Sequence, residues 1–326
     1  MTYKNRLVCL LSLIALLSLL YTGSLIFSPE QNNKRSASFV WLEPRLSARI
    51  NRIEITPREV TYPSQGSVAV EQKIELAKKN NMWVVLHNGD EYPARQLRVE
   101  DFISIFTSRA AWPVRSSSAS SHDFYGLDSA ASSRVTIYGE NTVLLELLIG
   151  NSDNTGREIY LRKAAQNEVR SGENRIAPYI TGFVTSWYNL RLIPESENGE
   201  LDIEGVQRLS VYNGADSQIF SRLNRGWNIS GINVENPAQD LIENYIRVVL
   251  NTEGDNFAGL VSGNEQFNNS RIVFEFGDGR VTTIRFSEPD ENGRLFAHVS
   301  GGEYIYAIPS WAAARLFRDA ASFERS

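Results

Sequence analysis

Three histidines, His87, His122 and His298, are the only imidazoles in the 326-residue chain. A metal or acid–base site read from sequence needs ligand types at a spacing that puts them on one face, such as two histidines at i and i+4 of a helix. No two of these three meet that condition. His87 and His298 fall in or near alternating, strand-like stretches and His122 in a polar loop, so they read as surface or strand-face histidines. The chain has no GxSxG elbow, no phosphate-binding P-loop and no GxGxxG after a strand. The serine-rich stretch Ser116 to Ser121 lacks the neighbouring base that a nucleophile needs, and reads as a loop.

One cation-loop lookalike is Asn151-Ser152-Asp153-Asn154-Thr155-Gly156, whose polar positions and glycine resemble the first half of a calcium loop. The bidentate glutamate that would close the loop is replaced by Arg162, and the related turn Glu288-Pro289-Asp290-Glu291-Asn292-Gly293 reaches Val299 at the same place. Both are expected to be hairpin turns. Asn88-Gly89-Asp90 and Gly277-Asp278-Gly279 read as turns too, because Asn and Gly tolerate positive φ. Trp83 and Trp227 recur at related places and are expected to be core anchors. No residue is nominated as catalytic, cofactor-binding or metal-ligating, and no cofactor is expected.

The elements that carry these residues begin with an apolar run. Residues 7–27 contain no charge, and about 21 residues at roughly 1.5 Å rise span the ~30 Å hydrocarbon core of a bilayer. Lys4 and Arg6 precede the run, so the positive-inside rule places residues 1–6 in the cytoplasm and exports everything after Phe27. A cleaved signal peptide is the competing reading. Cys9, the single cysteine, lies inside the run, so the exported part can form no intramolecular disulfide. A net charge of −5 argues against nucleic-acid binding.

Residues 28–48 are expected to be a stalk, 49–193 a first α+β repeat, 194–202 a linker and 203–326 a second repeat. Ile50-Asn51-Arg52-Ile53-Glu54-Ile55 and Val206-Gln207-Arg208-Leu209-Ser210-Val211 share a period of two, the signature of a half-buried strand. Trp83 and Pro93 stand 144 positions before Trp227 and Pro237. After each proline, Leu97, Phe102, Ile103 and Phe106 match Leu241, Tyr245, Ile246 and Val249 at helical spacing. Gly126-Leu127 is matched with Gly259-Leu260, Arg134 with Arg271, and Gly156-Arg157 with Gly293-Arg294. A short strand and a helix close each half, around Ala177 to Trp187 and Ser310 to Phe323. The expected unit is β-β-β-α-β-β-β-β-α, and the fold class is α+β: a transmembrane helix followed by two tandem, mainly antiparallel repeats.

The order of these segments, with Tyr92-Pro93-Ala94, Tyr125-Gly126-Leu127-Asp128, Gly156-Arg157-Glu158-Ile159-Tyr160-Leu161-Arg162 and Trp187, resembles the bacterial family catalogued as domain of unknown function 4340. The second half departs further, with Ala258 before Gly259-Leu260 and no Asp after them. The resemblance implies an N-terminally anchored protein often encoded beside ABC exporters, with no established catalytic residues. The expected role is therefore a non-catalytic extracytoplasmic accessory protein in the inner membrane. Its partners would be ABC transporter subunits or other envelope proteins, with residues 7–27 in the lipid bilayer. The alternative is an envelope hydrolase or carbohydrate-binding module that gathers carboxylates from separate strands.

Overall fold

The computed structural model describes residues 17–18, 38–58, 60–61, 68–69, 73–128, 132–140, 142–180, 183–193, 203–224, 226–234, 237–262, 267 and 270–324. The expected cytoplasmic end 1–6, the linker 194–202 and, apart from Leu17 and Ser18, the anchor 7–27 lie outside them. Among the described residues no helix is long and apolar enough to cross a membrane. The chain divides into two compact units, Met1–Tyr188 and Asn189–Ser326.

In the first unit, Ile53 and Ile55 are fully buried while Arg52 and Glu54, which alternate with them, are half-buried, so period two becomes a strand with one face in the core. The strands are β1 (Ile50–Thr56), β2 (Ile74–Lys79), β3 (Met82–His87) and β4 (Asp90–Pro93), then helix α1 (Gln96–Thr107). There follow β5 (Val114–Ser116), β6 (Ser133–Gly139), β7 (Thr142–Ser152), β8 (Glu158–Lys163) and β9 (Val169–Glu173), helix α2 (Ala177–Ile180) and a 3-10 turn, Val184–Trp187. These nine strands form one antiparallel sheet in the order β4-β3-β2-β1-β6-β7-β8-β9-β5, beside two separate pairs of two-residue strands. The β3–β4 turn has Asn88 and Gly89 at φ 54° and 91°, the positive pair that a two-residue hairpin requires.

The second unit runs β10 (Val206–Asn213), β11 (Asp216–Leu223), β12 (Gly226–Ser230), α3 (Gln239–Leu250), β13 (Asn256–Leu260), β14 (Arg271–Phe276), β15 (Val281–Phe286), β16 (Leu295–Val299) and β17 (Tyr304–Ile308). It closes with α4 (Ser310–Leu316) and a 3-10 turn, Ala320–Phe323. Its eight strands are antiparallel in the order β12-β11-β10-β14-β15-β16-β17-β13. Strand for strand this is the order of the first sheet without β4. Both units are mainly antiparallel sheet with few helices, so strand outweighs the helix that α+β implies.

Each unit has one strand more than expected after its first helix. The additional strands, β5 and β13, are the sheet edges; they are short and bulged, so neither shows the alternation by which strands are recognised. This also corrects the Gly-Leu match: Gly259 and Leu260 lie in β13, whereas Gly126 and Leu127 lie in a turn beyond β5, where Leu127 packs with Leu148 and Val169.

The stalk ends earlier than expected. Ser38 and Phe39 pair with Ala111 and Ala110, and Trp41 and Leu42 are buried, with the Trp41 ring 5.4 Å from that of Trp112. The apolar run Phe39-Val40-Trp41-Leu42 therefore belongs to the first unit. Residues 189–193, expected in the first repeat, belong to the second: Leu192 and Ile193 enter its core, and Gly254 N–H donates to Leu190 O.

Helix α1 buries Val99, Phe102, Ile105 and Phe106, and α3 buries Ile242, Tyr245, Ile246, Val249 and Leu250. Leu97, expected on the inner face, is 65% exposed. The reason is a register change: the second unit has one residue fewer between its proline and its helix, so Phe102 answers to Tyr245 while Pro93 answers to Pro237.

Candidate functional site

Among the described residues, a cleft of about 970 Å³ opens in the first unit. Two stretches of chain line it, one running from the end of α1 through β5, the other drawn from β8, β9 and their flanking turns. Its lining contains Arg109, Arg115, Arg157, Arg170 and Arg175 against Glu158 and Glu173. In a chain of net charge −5 this is a concentration of the opposite sign.

A bulge sets the floor. Val169 and Arg170 of β9 pair with Ser116 and Val114, which leaves Arg115 as the unpaired residue between them. An inserted residue bends the strand and re-aims its side chain. Arg115 Nε donates to Ser171 Oγ at 2.7 Å and Arg115 Nη2 to Glu158 Oε2 at 2.7 Å. The Ser171 hydroxyl donates to the same Glu158 oxygen at 2.7 Å, closing a triangle. Glu158 stands opposite Glu173 across the β8–β9 ladder, where two like charges repel; the triangle offsets this. The Ser171 hydroxyl foremost, then the Arg115 guanidinium, holds the Glu158 carboxyl below the usual carboxylate range against the opposing effect of desolvation.

The walls are fixed as well. Arg170 donates through Nε to Glu168 Oε1 and through Nη1 to Trp112 O, both at 2.7 Å, and lies 3.9 Å over the Phe39 ring. Trp112 is buried against Gly172, where a Cβ would meet its Cε3 at 2.4 Å. Only glycine lets that ring seat on β9. Arg109, Arg157 and Arg175, by contrast, are exposed and have no side-chain partner among the described residues.

The second unit supplies an internal control. Its ladder pairs Leu295, Phe296 and Ala297 with Ile308, Ala307 and Tyr306, as Ile159, Tyr160 and Leu161 pair with Gly172, Ser171 and Arg170. Its edge strand is bulged at the same place, leaving Ala258 unpaired. Ala258, Arg294 and Ala307 thus stand where the first unit has Arg115, Glu158 and Ser171. The fold does not require the triangle.

The residues weighed in the sequence lie elsewhere. His122 Nε2 bonds Asn167 O and His298 Nε2 bonds Gly302 O, each at 3.0 Å, while His87 Nδ1 bonds the Tyr188 hydroxyl at 2.5 Å. No group of three or more His, Cys, Asp or Glu among the described residues is placed to hold a metal. In the calcium-loop lookalike, Asp153 accepts from Thr155 Oγ1 and from Glu158 N–H at 2.6 and 2.9 Å, which makes it a turn-closing side chain. Asp290 accepts likewise from Arg294 N–H at 2.8 Å. The second turn is one residue shorter, so Arg294 answers to Glu158 and not to Arg157 as expected. Trp83 and Trp227 are buried.

The second unit also has a groove of about 580 Å³ that includes Trp311, 62% exposed, with the Arg315 guanidinium 5.1 Å from its ring centre. Sequence reasoning missed both concavities. The first draws its residues from three separated segments and the second from two, and the one local signal, arginines flanking a short polar strand at 109–115, has no spacing rule.

No curated protein and no solved structure matches the chain. Residues 83–262, more than half of the chain, match the model of the family described as Domain of unknown function (DUF4340), and the chain belongs to that family.

Proposed function

We propose that this protein is a non-catalytic accessory protein that presents its first unit to an envelope partner, tethered by residues 7–27 with the two units outside the cytoplasm. A membrane transport complex of the ABC exporter type is the partner in this reading, and the two units are diverged copies of one repeat. The observation that carries it is the Arg115–Ser171–Glu158 triangle, a polar device added to one of two sheets with the same strand order. A charged group set that the fold does not need supports a role in shaping a surface for a partner.

The cleft is built for binding more than for turnover. A general acid needs a carboxyl held protonated near neutral pH, whereas Glu158 is biased towards its ionised form. As a base for Ser171 it is equally unsuited, because Arg115 neutralises it and shares the serine oxygen. Affinity purification from detergent-solubilised membranes tests the role: transporter subunits recovered with the protein support it, and repeated recovery of the protein alone overturns it.

A second reading, carbohydrate binding, rests on Trp311. An exposed indole beside Arg315 is a platform on which a sugar ring can stack. Trp311→Ala abolishing retention on immobilised envelope glycan would favour this reading over the first.

A further inference from the structure

We propose that the cleft of the first unit binds an extended acidic peptide segment, with Arg109, Arg157 and Arg175 as its carboxylate forks. This deepens the interaction reading above and rests on it. The two arginines at the floor and wall are already engaged: Arg115 by Ser171 and Glu158, Arg170 by Glu168 and Trp112 O. They fix the shape of the cleft. The remaining three are exposed and lack side-chain partners among the described residues. A guanidinium presents a planar fork that matches a carboxylate bidentately, and such charge-assisted pairs are among the stronger polar contacts.

The spacing of the free arginines decides between anions. Arg109 follows the end of α1, Arg157 precedes β8 and Arg175 follows β9. The last two come from adjoining turns, tied by the bond from Asn174 N–H to Arg157 O at 2.8 Å. Donors drawn from three segments around about 970 Å³ suit separated charges on an extended chain. A single compact phosphate calls for convergent donors and a nest of backbone N–H groups. Between the arginines the lining is mixed: Val114, 46% exposed, and Ala111, also exposed, are apolar, while the exposed Glu173 beside Arg175 sets where an acidic side chain is disfavoured. That mixture accepts apolar side chains alternating with acidic ones, the pattern of a peptide in extended form.

The test uses the full chain in detergent and fluorescence anisotropy with a labelled decapeptide of five Glu-Val repeats, against the Gln-Val peptide of equal length. The expected result is saturable binding of the acidic peptide alone, tighter at low ionic strength. The triple variant R109A/R157A/R175A should weaken it tenfold or more while leaving the melting temperature unchanged, because none of the three side chains has a partner among the described residues. Absence of saturable binding, equal binding of the neutral peptide, or undiminished binding by the triple variant overturns the proposal. So does full displacement of the peptide by equimolar inorganic tripolyphosphate, which would assign the site to a compact anion. If wild type and triple variant recover a transport complex equally from membranes, the cleft assignment falls and the interaction reading stands. If the wild type binds the acidic peptide but recovers no complex, the interaction reading falls and the cleft assignment stands.

Discussion

The Gln96 side chain bonds the backbone of Trp83 from both sides: its Oε1 accepts from Trp83 N–H at 2.8 Å and its Nε2 donates to Trp83 O at 2.9 Å. Gln239 does the same to Trp227, at 2.6 and 2.9 Å. The first residue of each helix thus extends the sheet ladder by one amide and fixes the helix to the strand that carries the buried indole. A second tie recurs beside it: Arg95 N–H donates to Trp187 O and Ala238 N–H to Phe323 O, both at 2.9 Å, and Trp187 and Phe323 are fully buried.

Gln96→Ala removes three bonds, two to Trp83 and one from Nε2 to Ala94 O, and leaves the Trp83 N–H without its acceptor beside a buried indole, so it is expected to cost about 1–3 kcal/mol. Gln239 is exposed, and water can replace its amide; Gln239→Ala should cost less, roughly 0.5–1.5 kcal/mol. Urea unfolding followed by tryptophan fluorescence checks both, and equal costs would contradict the assignment.

These two glutamines also show what was legible. The period-two strands around Ile53 and Leu209, the helices behind Phe102 and Tyr245, and the buried tryptophans were readable because each depends on a local repeat of apolar side chains. The glutamine clamp was not, because Gln96 and Gln239 are separated by 143 positions while the prolines before them are separated by 144. One missing residue hides the match. Arg115 was invisible for another reason: its role comes from a bulge, which depends on the partner strand and leaves no pattern in the sequence of β5.

Gly172→Ala would place a methyl within 2.4–2.5 Å of the Trp112 ring. That ring is wedged between β9 and Trp41 and has little room to move, so overpacking should cost about 1–3 kcal/mol. Gly205→Ala is the matched control, since its nearest neighbour, Phe276, lies 4.0 Å away. Thermal melts of the two variants should separate by several degrees.

The stability of the protein should fall in acid partly through Glu158. Its folded-state carboxyl is depressed relative to the unfolded chain, so its contribution is present above the unfolded value of about 4.3 and disappears as pH drops through the folded value. Because the Ser171 hydroxyl is the largest cause, Ser171→Ala should shrink the loss of stability between pH 7 and pH 3. Urea midpoints at the two pH values measure this, and an unchanged difference would show that the hydroxyl does not hold the carboxylate.

Arg162 is a buried cation that, among the described residues, meets carbonyls and no carboxylate. Its Nε donates to Leu127 O at 3.0 Å, and its Nη1 lies 3.4, 2.9 and 3.2 Å from Lys163 O, Ala164 O and Gln166 O, gathering the β8–β9 turn and the loop after β5. Burial foremost, then the nearby Arg134 charge, biases it away from the protonated form, yet a guanidinium stays charged at any pH the protein meets. A lysine there offers one rotatable ammonium in place of a planar fork and cannot reach Leu127 O and the turn carbonyls together. Arg162→Lys should therefore destabilise the first unit by about 1–2 kcal/mol, and Arg162→Ala by more, because buried carbonyls lose their donors. Hydrogen exchange locates the effect: faster exchange at 164–169 and around Leu127, with the second unit unchanged, is the expected result. A uniform change across both units would show that Arg162 is not a local clamp.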